Sequence, residues 1–199
     1  MSAINPAQHW EVSYQNNQTV WDLGGPTPTL QRLAASGQFP PGRMLVPGAG
    51  RGHDARIFAR QGFAVTAVDF AEGAVQEMHR LATPDAPLDI LQADFFFLPP
   101  ALHGTFDYIL EYVTYCAIDP SRRAEYARVV ADLLKPGGLF LGLIFPLTFH
   151  ASGPPFAVST DELLGDLLPC GFVLLHREFP ADTIRPRKGR EEWIVVQKQ

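Results

Sequence analysis

The sequence predicts an α/β domain built on a mainly parallel seven-stranded sheet whose last strand is antiparallel. Three observations predict it. Short apolar runs alternate with stretches of helical spacing between residues 43 and 145. A glycine turn, Gly48-Ala49-Gly50-Arg51-Gly52, joins the first run to its helix. The last two runs, 172–176 and 193–196, have no helical pattern between them. Alternating strands and helices imply crossover connections and parallel pairing, whereas two strands without a helix between them read as antiparallel neighbours joined by a long loop.

In chain order, residues 1–26 are polar and aromatic, with Trp10, Tyr14 and Trp21, and show no sustained period. Large aromatic side chains in such a stretch predict an arm that packs on the rest of the chain. Thr27-Pro28-Thr29-Leu30 opens a short helix to about residue 35, and Pro40-Pro41-Gly42 forms a turn. Strand 43–46 leads through the glycine turn into helix 54–61, which stops at Gly62. Strand 63–68 ends at Asp69 and is followed by helix 71–81; strand 88–91 closes on Ala93-Asp94-Phe95-Phe96-Phe97. Strand 106–110 precedes a long helix, 121–134, broken by Lys135-Pro136-Gly137-Gly138. Strand 139–145 is apolar throughout, as expected for a central strand covered on both faces. A loop at 148–155, a helix at 160–168 and the two final strands complete the chain.

At 199 residues the chain fits one core, since splitting into domains sets in at about 250–300 residues. A single domain is expected over 1–199, with 1–26 as the aromatic arm and 43–199 as the α/β core. Hydrophobic residues at 46% exclude wholesale disorder. A net charge of −5 argues against non-specific nucleic-acid binding, which needs Lys and Arg to displace counterions. Two cysteines, Cys116 and Cys170, cannot build a disulfide framework or a structural zinc site, and no metal is expected. Both sit in apolar surroundings and read as reduced, buried thiols. The first fifteen residues lack a basic segment followed by an apolar one, and no apolar run reaches the ~20 residues of a membrane helix. A cytoplasmic protein is expected, with no membrane partner.

The glycine turn carries the sharpest chemical signal. Ligands of open parallel sheets bind beyond the carboxyl ends of the strands, where glycine lets backbone approach the ligand closely. Asp69 lies 21 residues after Gly48, at the end of the next strand, where a carboxylate can accept both hydroxyls of a ribose. A dinucleotide motif places its third glycine where this chain has His53. The observed Gly-x-Gly-x-Gly suits S-adenosylmethionine, which has no phosphate. Asp94 supplies an acceptor for an adenine amino group and Phe95 an apolar wall for the ring. The competing explanation for both acids is that they satisfy turn amides and helix ends.

These residues resemble the class I S-adenosylmethionine-dependent methyltransferases, and within them the thiopurine S-methyltransferase family with its plant-type thiol and halide methyltransferases. The likeness rests on Trp10-Glu11, Trp21-Asp22-Leu23-Gly24, Leu45-Val46-Pro47-Gly48-Ala49-Gly50-Arg51-Gly52, Val68-Asp69 and Ala93-Asp94-Phe95-Phe96. It continues through Phe106-Asp107-Tyr108-Ile109, Cys116-Ala117-Ile118, Leu134-Lys135-Pro136-Gly137-Gly138 and Gly153-Pro154-Pro155-Phe156. It implies a Rossmann-like class I methyltransferase sheet and an N-terminal segment folded over the cofactor through Trp10 and Trp21. It also implies cofactor contacts at Gly48, Gly50, Asp69, Phe70, Asp94, Phe95 and Tyr112. Tyr14 stands where the plant-type enzymes usually carry another tryptophan, and Ala49 replaces a common cysteine. An indole roof suits a sulfonium cation, which aromatic faces attract by roughly 0.5–2 kcal/mol.

The expected reaction is in-line transfer of the cofactor methyl to a small nucleophile, a thiol, thiopurine, halide or thiocyanate, leaving S-adenosylhomocysteine. A thiol needs no strong base because it is partly ionised at neutral pH. For an acceptor that does need one, His150 and His53 are the candidate bases. Tyr115 and Phe149 are expected as walls of the acceptor pocket, and Arg122 as a cation facing an anionic acceptor. Core packing is the alternative for Tyr115, as is a first-turn surface charge for Arg122 or Arg123. The partner is a small molecule, and the chain is expected to be a monomer or weak homodimer. The rival readings are an NAD-dependent oxidoreductase and a non-catalytic nucleoside-binding regulatory domain.

Overall fold

The apolar runs between residues 43 and 145 do pair as parallel strands. In a computed structural model, which describes residues 6–147 and 153–199, seven strands form one sheet. They are β1 Arg43–Pro47, β2 Ala64–Asp69, β3 Leu88–Gln92, β4 Phe106–Tyr112, β5 Leu134–Ile144, β6 Phe172–Glu178 and β7 Glu192–Lys198. The order is β3-β2-β1-β4-β5-β7-β6, with β3 through β5 parallel and β7 antiparallel to both its neighbours. The chain runs outward from β1 to β3 and then crosses to β4 on the other side of β1. That reversal makes the β1/β4 junction the topological switch point, where ligands of such sheets bind.

Helices cover both faces. α1 spans Pro6–Gln15, α2 Pro28–Ala35, α3 His53–Arg60, α4 Glu72–Arg80, α5 Arg123–Leu133 and α6 Thr160–Leu167. Alternation along each strand sends successive side chains into two separate cores. Met44 and Val46 pack with Leu30, Phe58 and Met78 of α2, α3 and α4 on one face. Leu45 and Ile109 pack with Tyr126, Val130 and Leu163 of α5 and α6 on the other. This two-sided burial is why β1 and β5 read as unbroken apolar runs. Among the described residues no helix is long and apolar enough to cross a membrane.

Two expectations change. Residues 6–15 form a helix, although their sequence shows no helical period; the element is held by docking rather than by its own amphipathic face. Lys135 to Gly138 does not separate helix from strand, because β5 starts at Leu134, directly after α5, with Gly137 at φ +77°. β6 is an edge strand whose residues after Phe172 are all exposed, and its ladder to β7 slips a residue between Leu174 and His176. Cys116 is buried, as expected, with its thiol pushed up to about 12 by burial and the neighbouring Glu111 charge; Cys170 is only half-buried.

The exit from β4 shapes the switch point. Val113 has φ +58°, a left-handed conformation that strains a β-branched residue. Its neighbours hold it there. Glu111 Oε1 accepts the N–H groups of Thr114 at 2.9 Å and Tyr115 at 2.7 Å, and Oε2 accepts the Tyr126 hydroxyl at 2.5 Å. Burial nevertheless raises the Glu111 carboxyl from 4.5 to about 7. The folded protein therefore holds this proton over a pH range in which the unfolded chain has released it. The stabilisation is complete below about pH 4.5 and is lost as pH rises through about 7. Wild type should accordingly lose about 3 kcal/mol relative to Glu111→Gln between pH 4.5 and pH 7.5. Urea unfolding of both proteins across that range measures it, and a constant difference would remove the raised carboxyl.

Candidate active site

Beyond the end of β1 the glycine turn bends back on itself. Gly48 and Gly50 lie at φ +54° and +56°. A Cβ on Gly48 would stand 2.6 Å from Oγ1 of Thr114, whose hydroxyl donates to the Pro47 carbonyl at 2.8 Å. Only glycine lets the turn and the β4 exit touch here. The turn is then fixed to β2: Ala49 N–H donates to the Val68 carbonyl at 3.0 Å, and Gly50 N–H to Asp69 Oδ2 at 2.9 Å. Asp69 Oδ1 accepts Ala71 N–H at 3.0 Å. Burial raises the Asp69 carboxyl pKa against the lowering effect of these amides. The Phe70 N–H is a third donor to it, and because a carboxylate has about four acceptor positions, room for a hydroxyl donor is left.

The N-terminal arm lies over this turn. Trp10 and Tyr14 are one helical turn apart on α1, and both meet Trp21 edge-on, with centroids 4.8 Å and 5.9 Å away. The Trp21 indole N–H hydrogen bonds to the Tyr14 oxygen. The Tyr14 hydroxyl is 3.1 Å from the position a Cβ on Gly50 would take, and burial together with the Asp69 charge raises its pKa. Charged groups tie the arm down. Asp22 accepts from Arg51 at 2.5 Å and faces His53 Nε2 at 3.5 Å. At the arm's root, Asp54 accepts the Thr27 N–H at 2.8 Å and its hydroxyl at 3.1 Å. Burial still pushes the Asp54 carboxyl up to about 6.

Between arm and sheet lies a cleft lined by Trp21, Pro47, Gly48, Gly50, Asp54, Tyr112 and Val113, among others. Tyr112, at the end of β4, donates its hydroxyl to Glu191 at 2.6 Å and accepts from Arg187. Arg187 is buried; it also donates to the Trp21 carbonyl at 2.8 Å and lies over the Phe145 ring at 4.5 Å. One cation thus joins β4, the loop before β7 and the arm. Past β3, Asp94 accepts the Phe96 N–H at 2.9 Å, and Arg122 lies over the Phe96 ring at 3.6 Å.

The fold therefore brings Trp10, Tyr14, Trp21, Gly48, Gly50, Asp69 and Tyr112 around the switch point. Phe70, half-buried, follows Asp69 and offers its backbone N–H to that carboxylate. Three of the expected site residues have packing of their own. Phe95, in the core, is only 7% exposed and packs on Tyr126 at 5.2 Å. Tyr115 is likewise core, 1% exposed against Tyr126, with its hydroxyl donating to Asp166 at 3.3 Å. Arg122 forms a two-point pair with Glu125, at 2.8 and 3.1 Å, and belongs to the Asp94–Phe96 corner. Arg123 is the buried cation of that pair, held by Glu162 at 2.8 Å. Phe149 and His150 lie outside the described residues. Sequence reasoning missed Arg187, Glu191 and Asp54. Each is an ordinary charge in the sequence, and its role appears only when distant segments meet.

Comparison with known proteins gives the same direction. Residues 5–198 match the model of the family described as Thiopurine S-methyltransferase. The chain is 37% identical over 191 residues to the probable thiol methyltransferase 2 of Arabidopsis thaliana, covering 94% of this chain and 84% of that one. It is 36% identical over 186 residues to thiocyanate methyltransferase 1 of Brassica oleracea, covering 92% and 81%. It is 28% identical over 210 residues to the thiopurine S-methyltransferase of a Shewanella species, covering 93% of each. Among solved structures, the 1,6-didemethyltoxoflavin-N1-methyltransferase of Burkholderia thailandensis superimposes with TM-score 0.72 at 20% identity, covering 97% of this chain and 86% of that one. At that identity the likeness is one of fold. From the family match and the two plant relatives together, the chain belongs to the thiopurine S-methyltransferase family and is an S-adenosylmethionine-dependent methyltransferase.

Proposed function

We propose that this methyltransferase acts on a small sulfur or halide nucleophile, a thiol, thiocyanate or halide ion, in the cleft between the aromatic arm and the ends of β1 and β4. The observation that carries this reading is the closure of Tyr14 and Trp21 over a glycine turn anchored on Asp69. The donor set suits the cofactor. Asp69 has an acceptor position for a ribose hydroxyl, and Gly48 and Gly50 leave the turn bare for close backbone approach. Asp94, just past the third strand beside Phe96 and Arg122, is the acceptor proposed for an adenine amino group. A pyrophosphate suits the cleft poorly, because Asp54 stands in the first turn of α3 and Asp22 beside it.

When bound, S-adenosylmethionine supplies an electrophilic methyl group on a sulfonium cation. The chain's own contribution is alignment and exclusion of water. Trp10 and Trp21 present indole to a cation, and the Asp22–Arg51 pair holds the arm in place. Tyr112, fixed by Arg187 and Glu191, forms the floor on the β4 side. The carboxylates of the cleft already have partners, Asp54 with Thr27 and Asp22 with Arg51, and burial lowers the pKa of His53, whose Nε2 makes no hydrogen bond. This favours an acceptor that arrives ionised over one that must be deprotonated. The names of the plant relatives point to the same class. The arm and the α/β core act as one domain, and reduced Cys116 and Cys170 suit a cytoplasmic setting.

Three measurements test this. Asp69→Ala should weaken S-adenosylhomocysteine binding by about 1–3 kcal/mol, the cost of hydroxyls left without a partner. Titration calorimetry reads it, and an unchanged dissociation constant removes Asp69 from the ribose. In assays of S-adenosylhomocysteine release, thiocyanate, iodide and aromatic thiols should turn over while phenols do not. For two thiols of different acidity, the midpoint of the pH–kcat/KM profile should move with the thiol's own pKa. A midpoint shared by both thiols would assign a general base to the protein.

A further inference from the structure

The arm meets the α/β core at the first turn of α4, through a residue with no side chain. Gly73 is the second residue of that helix and is not in the left-handed region. The helix itself therefore gives no reason for glycine, and alanine would suit it better. A Cβ at Gly73 would stand 2.6 Å from Tyr14 Cβ and 3.2 Å from its Cγ. Tyr14 Cβ is attached to the backbone and cannot swing aside as a flexible tip would. The Gly73 N–H also donates to Glu11 Oε2 at 3.3 Å, so α1 caps α4 where it crosses it. Arg51 adds a second tie, pairing with Asp22 of the arm at 2.5 Å and with Glu77 of α4 at 3.3 Å. The far end of Tyr14, its hydroxyl, lies 3.1 Å from the Cβ position of Gly50. The tyrosine thus bridges two positions that carry no side chain, one on α4 and one in the glycine turn.

We propose that Gly73 is a positioning residue for cofactor binding: the bare backbone there is the notch that seats α1, with Glu11 as its catch, so that Tyr14 and Trp21 rest over the glycine turn. This rests on the reading that the arm covers the cofactor. A side chain at 73 lifts the arm without touching the cradle. The apparent affinity then falls by the fraction of molecules whose arm is still seated, so a tenth seated gives about tenfold weaker binding.

The test uses the full chain and four variants, Gly73→Ala, Glu11→Ala, Trp21→Ala and Gly165→Ala. Gly165 is an exposed glycine of α6 with open space around it and serves as the control. Three quantities are measured: the melting temperature without ligand, the S-adenosylhomocysteine dissociation constant by calorimetry, and the rate of chymotryptic cutting after Tyr14 or Trp21. Gly73→Ala should melt no lower than wild type, bind about tenfold more weakly and be cut faster, whereas Gly165→Ala should change only the melting temperature. Weaker binding by Trp21→Ala with none by Gly73→Ala, and no faster cutting of the latter, places the seat elsewhere and overturns the proposal. If Trp21→Ala also binds as wild type, the covering role of the arm fails with it. Should Gly73→Ala not fold, Glu11→Ala decides: weaker binding with an unchanged melting temperature supports the seat, and unchanged binding overturns it.

Discussion

A single carboxylate fastens the catalytic end of this sheet. Asp69 closes β2 and accepts one amide from the glycine turn after β1 and another from the start of α4, at 2.9 and 3.0 Å. Two loops leaving neighbouring strands are thereby held in fixed relation. The turn fixes the start of α3, where Asp54 grips the arm's root, and the loop fixes α4, on which α1 lies. Without that tie, the turn, the helix and the arm would each be positioned only by their own local contacts. The same carboxylate satisfies amides and keeps an acceptor position free, so its structural role is compatible with the ligand-facing one proposed for it.

Charged side chains tie separate elements of the fold together. Arg51 joins arm and α4, Arg187 joins arm, β4 and the loop before β7, and Arg123 joins α5 to α6 through Glu162. Arg123 and Arg187 are buried, and losing the partner of a buried charge is far more damaging than losing a surface pair. Arg51 and Arg187 hold residues of the cleft wall, so its geometry is set by well-separated sequence positions acting together.

What the sequence makes legible is local. The strands, the helices of the α/β core, the glycine turn and the acid ending β2 follow from short-range patterns, and the structure bears them out. α1 is hidden because a ten-residue helix with little apolar face exists only through its contacts with α4 and Trp21. The packing of Tyr115 and Phe95 is not legible in the sequence because an aromatic residue near a strand tip looks alike whether it lines a cavity or fills the core. Their neighbour in both cases is Tyr126, on a helix no local pattern connects to them. Arg187 and Asp54 are invisible for the same reason: Arg187 binds Trp21 across 166 positions and Tyr112 across 75, and Asp54 binds Thr27 across 27.

The far margin of the sheet carries the opposite logic. β6 leaves Val173, Leu174 and Leu175 open to solvent, a composition that invites accretion of further strands. The slip at Leu175 interrupts the ladder, and His176, Arg177 and Glu178 place polar groups immediately after it. An incoming chain could keep register over only about three residues before meeting the interruption, too few to hold a strand in water. The molecule can therefore display an oily border and still terminate there.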